Sequence, residues 1–410
     1  MGNIFKVLFD FCQMLLFVIG MYYLVVAVFS LTIINKKTVS GKNHSFAIVV
    51  AAHNEETVIG QLVESLNNLK YPKTLYKIFV VADNCDDATA EEARRAGAVV
   101  LEREDNENCG KGFAMEFAFE HLFSLEEQFE YICVFDADNI VDCDFLFHMN
   151  NKINEGWHAV QGYIDSKNPS ESWLSFSYSL WYWINNRVAQ LSRGNLGLGC
   201  RLGGTGFAVA TNLIKRFGWG ATCLAEDTEF TLKLALSDLR VGWAHEAVIY
   251  DEKPVEFKTS VHQRRRWMQG LSDVAVNYVK PLIKKGIDDR KAFPFHMLMN
   301  FWSDCLYPTA TMFFTATYIL TFIAKKNSFL YQSVCEIWAE PFRMLLLTFF
   351  VWGNIIITAL GLYSDRKLDK NIIKNFLGFI IYILSWIPIG IIGFLKKDEK
   401  EWFHTPHSPK

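Results

Sequence analysis

The stretch Tyr131-Ile132-Cys133-Val134-Phe135-Asp136-Ala137-Asp138-Asn139 reads as an apolar strand that runs out onto two carboxylates. Side chains alternate along an extended chain, so Asp136 and Asp138 lie on the same side. A continuous apolar run suits a strand covered on both faces, as in a parallel sheet between layers of helices. Two hard oxygen donors at this spacing suit Mg²⁺ or Mn²⁺, with water and phosphate oxygens filling the remaining positions. A D-x-D alone occurs in turns throughout proteins, so the flanking sequence has to decide.

Toward the N-terminus the strand pattern recurs. Phe46 to Ala52 is a continuous apolar run, and a helix-like stretch from Glu55 to Leu69 follows and stops at Tyr71-Pro72. Lys77 to Ala82 reads as a second strand, Glu91 to Gly97 as a short helix and Ala98 to Leu101 as a third strand. Lys111 to Phe123 is a helix leading into the strand at Tyr131. The βαβαβαβ order predicts an α/β fold with a mainly parallel sheet, helices on both faces and right-handed crossovers. Ligands bind such sheets at the carboxyl ends of the strands. His53-Asn54-Glu55-Glu56, Asp83-Asn84-Cys85-Asp86-Asp87 and Asp136-Ala137-Asp138 stand at those ends. Asp86 or Asp87 is explained as a helix cap. Three acidic strand ends at one edge repel one another unless a cation or a donor-rich ligand sits among them.

Toward the C-terminus, Trp173 to Trp183 is an aromatic helical stretch, read first as packing against the sheet, then as interfacial, then as sugar-stacking. Gly203-Gly204-Thr205-Gly206-Phe207 reads as a tight turn needing glycines. Glu226-Asp227 opens a helical stretch over Thr228 to Ser237. Asp227 there is either a cap or a base able to take a proton from an attacking hydroxyl. Gln263-Arg264-Arg265-Arg266-Trp267 is either a basic flank of the next apolar segment or a set of donors for a diphosphate beside an aromatic face for a sugar.

The 410 residues are 51% hydrophobic and 15% aromatic, and four apolar stretches hold the excess: Phe11–Ile34, Met297–Ala324, Phe342–Tyr363 and Phe376–Leu395. Each is long enough to cross a bilayer, and the first is read as an anchor rather than a removed signal. Asp304, near the start of the second, is read as a carboxylate at headgroup level. Lys36, Lys37 and Lys42 favour the cytosol for the region between the first two stretches, as do Arg366, Lys367, Lys370 and Lys374 for the third loop. Parity then puts both termini outside, against the charge of Lys396, Lys397 and Lys400; a half-inserted segment between Asp273 and Phe301 would reverse the tail. The net charge of −3, from 41 basic and 44 acidic residues, gives no basic field for nucleic acid. Nine cysteines without a C-x-x-C pair argue for a reduced compartment.

Taken in order from Phe46 to Gly270, the Asn54-Glu55 turn, Asp83, Asp136-Ala137-Asp138, Glu226-Asp227 and Gln263-x-x-Arg266-Trp267 resemble the family-two processive glycosyltransferases of glycosyltransferase-A fold. That group contains the cellulose, hyaluronan, chitin and poly-N-acetylglucosamine synthases. The resemblance implies a cell-membrane, multi-pass enzyme with a cytosolic catalytic domain, which moves sugar from a UDP-sugar to a growing β-linked polysaccharide with inversion. It implies that Glu55 and Asp83 contact uridine with Lys111 nearby, that Asp136 and Asp138 hold diphosphate and metal, and that Asp227 is the base. Gln263, Arg266 and Trp267 would close over the diphosphate and acceptor sugar, while Thr205, Phe207 and Glu226 would join Trp267 on the acceptor side. Ala82-Asp83-Asn84-Cys85 departs from the usual Asp-Asp-Gly-Ser, and Ala225 replaces the Thr of cellulose synthases. No cyclic-dinucleotide receptor domain follows the last span, which argues against that regulation. The expected division is an anchor over 1–42, a catalytic domain over 43–280, and an interfacial segment with membrane helices over 281–410. Three spans after the catalytic region are few for a pore, which points to a partner subunit or a homo-oligomer. The rival readings are a transferase adding one sugar to a membrane lipid and a non-enzymatic nucleotide-sensing membrane protein.

Overall fold

The computed structural model describes residues 2–33, 41–220 and 223–397; Lys36, Lys37 and Lys400, used above to orient the chain, lie outside them. Helix α1 (Gly2–Val28) is followed by β1 (Phe46–Ala52), α2 (Ile59–Asn67), β2 (Tyr76–Asp83), α3 (Thr89–Arg95), β3 (Val99–Arg103), α4 (Lys111–Ser124) and β4 (Tyr131–Asp136). The second half adds β5 (Ile140–Val141), α5 (Phe145–Asn154), β6 (Ala159–Ser166), α6 (Trp173–Ile184), α7 (Ser192–Leu196), β7 (Phe207–Ala210), α8 (Thr211–Phe217), α9 (Glu226–Leu236) and β8 (Gly242–Asp251). Four long helices complete the chain: α10 (Phe257–Asp288), α11 (Phe293–Ile323), α12 (Pro341–Ser364) and α13 (Asn371–Leu395).

The eight strands form one sheet in the order β3-β2-β1-β4-β7-β6-β8-β5. The expected first four are parallel, and β6 pairs parallel with β8. Strand β7 runs antiparallel between β4 and β6, and β5 caps the edge antiparallel to β8. Ile48, Val49 and Val50 are fully buried, as are Val134 and Phe135. Full burial of such a side chain stabilises by roughly 1.5–3 kcal/mol, which explains why these runs sit at the centre of the sheet. Register sets Ala52 beside Ala82 and Ala51 beside Asp136. The polar residues after β1, β2 and β4 therefore emerge together at one edge.

Four helices are long and apolar enough to cross a membrane, within Lys6–Val28, Leu306–Ile323, Pro341–Ser364 and Asn371–Leu395. Helices α1, α11 and α12 pack around Phe17, Phe314 and Phe350, whose ring centroids lie 5.4–5.6 Å apart. Helix α13 instead lies on α6 and α10, through Tyr382 against Tyr178 (4.8 Å) and Trp386 against Trp267 (6.2 Å). The stretch Trp173–Trp183 thus serves two neighbours: Phe176, Leu180 and Trp183 join the core under the sheet, while Tyr178 and Trp181 face α13. The boundary expected at residue 280 falls inside α10, which runs on through Pro281.

Candidate active site

A cleft of about 1190 Å³ opens at the carboxyl edge of the parallel strands and extends to α11 and α13. Asn54, the second residue beyond β1, and Asn84, the first beyond β2, both take positive φ (55° and 51°), a conformation asparagine tolerates better than most residues. The Asn54 side chain accepts a hydrogen bond from the Asp86 N–H (2.9 Å), and the Glu55 N–H donates to Thr89 Oγ1 (2.7 Å). These bonds hold Glu55 in the cleft wall. Asp87 accepts from the Thr89 N–H (3.0 Å), which is the capping role expected of it. Asp83, also in the wall, pairs with buried Arg103 (2.6 Å).

Oxygens of Asp136, Asp138 and Asp251 lie within 4.8 Å of one another. Asp136 also pairs with Lys111, the first residue of α4, whose ammonium donates to Gly204 O (2.8 Å). Asn139 donates to both Asp138 (3.0 Å) and Asp251 (3.1 Å), so one amide spans the two carboxylates. Burial, then the charges of Asp251, Asp136 and Glu55, drives the Asp138 carboxyl well above its ordinary pKa. Burial, then Asp136, Asp87 and Glu252, pushes Glu55 up to about 8. The cluster is thus held in a geometry its own charges oppose, with Lys111 on Asp136 and Lys253 on Asp251 (2.5 Å), and its three hard oxygen donors fit a divalent cation.

Asp227 stands in the first turn of α9, with one oxygen accepting from the Thr228 N–H (2.6 Å). Burial and then Glu226 push it up to about 6, against the opposing pull of that N–H, Arg201 and Lys111. Burial alone would lower Lys111, but Asp136, Glu226 and Asp227 outweigh it and raise the ammonium. From α10 come Gln263, which accepts from the Tyr178 hydroxyl (3.3 Å), Arg266, which burial holds below its ordinary value, and Trp267.

Glu55, Asp83, Lys111, Asp136, Asp138, Thr205, Glu226, Asp227, Gln263, Arg266 and Trp267 all line this one cleft. Thr205 does so with its hydroxyl engaged: it accepts from the Asp136 N–H (3.0 Å) and donates to Asn139, which fixes the turn bearing the carboxylates. Phe207 is corrected. It is 1% exposed and stacks on Trp219 in the core (5.9 Å, 8° between planes), away from the cleft lining. Asp304, just before the apolar window of α11, also reaches into the cleft wall, where it pairs with Arg201 and accepts from Asn185 (2.9 Å). Asp251 was not anticipated; the apolar residues of β8 before Asp251-Glu252 repeat the strand-then-acid pattern of β4 and were the available signal.

Three comparisons bear on this arrangement. The family model described as "Glycosyltransferase like family 2" matches residues 44–270. A β-monoglucosyldiacylglycerol synthase of Nostoc sp. is 30% identical over 296 residues, covering 68% of this chain and 59% of that protein. A poly-β-1,6-N-acetyl-D-glucosamine synthase of Staphylococcus epidermidis is 23% identical over 386 residues, covering 88% of this chain and 86% of that protein. Among solved structures, a mannosyltransferase from Pyrobaculum calidifontis, in complex with GDP-mannose and Mn²⁺, matches 87% of this chain and 99% of its own with a TM-score of 0.55. Its 16% sequence identity makes this a likeness of fold.

Proposed function

Because this chain belongs to the glycosyltransferase-like family 2, we propose that it transfers sugar, with inversion, from a UDP-sugar to a growing β-linked polysaccharide at the cytosolic face of a membrane. The observation that carries the reading is the meeting, in one cleft, of the Asp136-Asp138-Asp251 cluster with Asp227 and the Gln263-Arg266-Trp267 group.

Glu55 and Asp83, in the cleft wall, would receive the nucleoside, with Lys111 paired to Asp136 of the acidic cluster. Asp136, Asp138 and Asp251 would hold Mg²⁺ or Mn²⁺, which when bound neutralises charge on a departing nucleoside diphosphate. Arg266 adds a guanidinium whose field is strengthened by burial. Asp227 takes the proton of the acceptor hydroxyl as its oxygen attacks the anomeric carbon. The bond from that carbon to the diphosphate oxygen breaks in the same displacement, so an α-linked donor yields a β-glycoside. A base with a pKa of about 6 is ionised at neutral pH yet close enough to it to accept the proton effectively.

The acceptor side is aromatic. Trp181, Tyr182, Trp267 and Trp386 line it, and such faces suit a sugar chain that must stay bound between additions. The poly-N-acetylglucosamine synthase relative, matched over most of both chains, supports a polymer product. A second reading, one sugar placed on a membrane lipid, is favoured by the 30% identical lipid glucosyltransferase. Labelled donor incubated with the full chain in lipid discs, followed by sizing of the product, separates them. We expect long chains from wild type and short or no chains from Trp267→Ala. A solvent-extractable glycolipid as the sole wild-type product would move the assignment to the lipid acceptor.

A further inference from the structure

Helix α13 meets the length and composition of a membrane span, yet its contacts do not fit a crossing. Its 25 residues extend about 37 Å at 1.5 Å per residue, more than the roughly 30 Å of a hydrocarbon core. A crossing helix would therefore carry its two ends to opposite faces. Both ends of α13 instead rest on the catalytic domain. Near its start, Gly378 packs directly against Trp173, the first residue of α6. In the middle, Arg264 of α10 donates to Ser385 (2.7 Å), and Tyr382 and Trp386 pack on Tyr178 and Trp181. Toward its end, Gly393 lies against Met268 and the backbone oxygen of Arg265. Just past the end, Gln269 donates to the carbonyl of Lys396 (2.7 Å). The next residue of α10, Gly270, packs on Leu224 and Ala225, immediately before Glu226-Asp227. The far end of α13 is thus tied to the active-site loop itself.

The three-helix bundle is separate. The buried core that joins α1, α11 and α12 contains no residue of α13. The loop before α13 is likewise bound to the catalytic domain, by Asp365 to Arg187 (2.6 Å) and Lys367 to Asp165 (2.6 Å). The outer face of α13 carries Ile373, Leu377, Ile381, Leu384, Ile387, Ile391 and Leu395, all exposed and spaced by three or four residues, which makes one apolar stripe. Lysines flank it: Lys370 and Lys374 at the start, Lys396 and Lys397 at the end.

We propose that three helices, α1, α11 and α12, cross the membrane, and that α13 lies in the plane of the cytosolic leaflet with its apolar stripe in the lipid. The inner face of α13 then forms the lipid-level wall of the cleft through Trp386, and the C-terminal tail is on the catalytic side. The arrangement reconciles two facts that a fourth crossing sets against each other: loop and tail are both lysine-rich, and basic segments favour the cytosol. The lysines at both ends of α13 can reach from that depth to the polar surface. The proposal goes beyond the sugar-transfer reading and does not depend on it.

The test uses the full chain with three epitope tags, one per variant: after Lys410, after Lys326 between α11 and α12, and in the exposed turn at Glu126. Protease is added to sealed right-side-out and inverted membranes, and turnover of a donor panel is recorded alongside to judge the functional reading separately. The expected result is that the tail tag and the Glu126 tag are cut in the same preparation and the Lys326 tag in the other. A tail tag cut together with the Lys326 tag overturns the proposal, as does cutting of all three in one preparation.

Discussion

Asp227 holds a negative charge where burial and Glu226 oppose it, and the Thr228 N–H, Arg201 and Lys111 offset that opposition. Two consequences follow from one cause. If Asp227 is the base proposed above, activity falls as pH drops through about 6, where its carboxylate takes up a proton. Because the folded-state pKa lies above the unfolded one, the ionised form is disfavoured by folding. The stability cost is full above about 6 and vanishes below the unfolded value, at roughly 1.4 kcal/mol per unit. Asp227→Asn should therefore raise Tm at neutral pH while cutting turnover by roughly 10²-fold or more with donor affinity kept. Arg201→Gln removes a cation that favours the ionised base, so the acid limb should move to higher pH; an unmoved limb would separate Arg201 from Asp227. The strand-end carboxylates were legible in the sequence because each follows an apolar run. Asp251 was not, because β8 carries His245 and Glu246 before its apolar end and broke the pattern. Phe207 was misplaced because a glycine turn reveals that the chain bends but not which face the next side chain takes.

Helix α10 carries Gln263, Arg266 and Trp267 of the cleft and packs on α13. Its Arg264 is fully buried against the Tyr382 ring (4.7 Å) and the Trp386 ring (5.2 Å), with hydrogen bonds to Ser385 and to the Tyr382 carbonyl (3.3 Å). A desolvated cation over aromatic faces contributes about 2 kcal/mol or more. Arg264→Ala should lower Tm and raise hydrogen exchange in Asn371–Leu395 while leaving β1 to β4 protected. A uniform rise across the chain would make Arg264 a general core residue and not the tie between α10 and α13. The sequence showed three arginines and their donor chemistry. Which of them points into the cleft and which into the helix interface is set by the turn of α10 against two other helices, and no local pattern encodes it. The same holds for Trp173–Trp183: helical spacing made it a packing helix, but its second partner lies about 200 residues away in α13. The antiparallel insertion of β7 was hidden for a different reason, since four residues between glycines and a helix carry little period.

At the scale of the molecule, the parallel half of the sheet was readable because its strands are buried on both faces and alternate with helices. The β6–β8 half was not, because buried polar residues such as Gln161 and Asp165 interrupt its strands. Four apolar stretches were equally readable, whereas their partners had to come from packing: three form a bundle and the fourth packs on α6 and α10, where its Trp386 lines the cleft. The cleft so formed brings Glu55 and Asp83, the Asp136-Asp138-Asp251 cluster, buried Asp227 and the aromatic residues Trp181, Trp267 and Trp386 together. The central claim is that this cleft transfers sugar from a nucleotide donor with a divalent ion held by the acidic cluster. The most direct measurement is UDP release by the purified full chain in lipid discs, across a panel of UDP-sugars, with Mg²⁺ or Mn²⁺, with EDTA, and for Asp138→Asn. We expect one donor to be turned over, EDTA to abolish the release and added ion to restore it. Asp138→Asn should be inactive, with an unchanged Tm or a higher one. UDP release that persists in EDTA and in Asp138→Asn, or no release from any donor by a folded chain, would contradict the account.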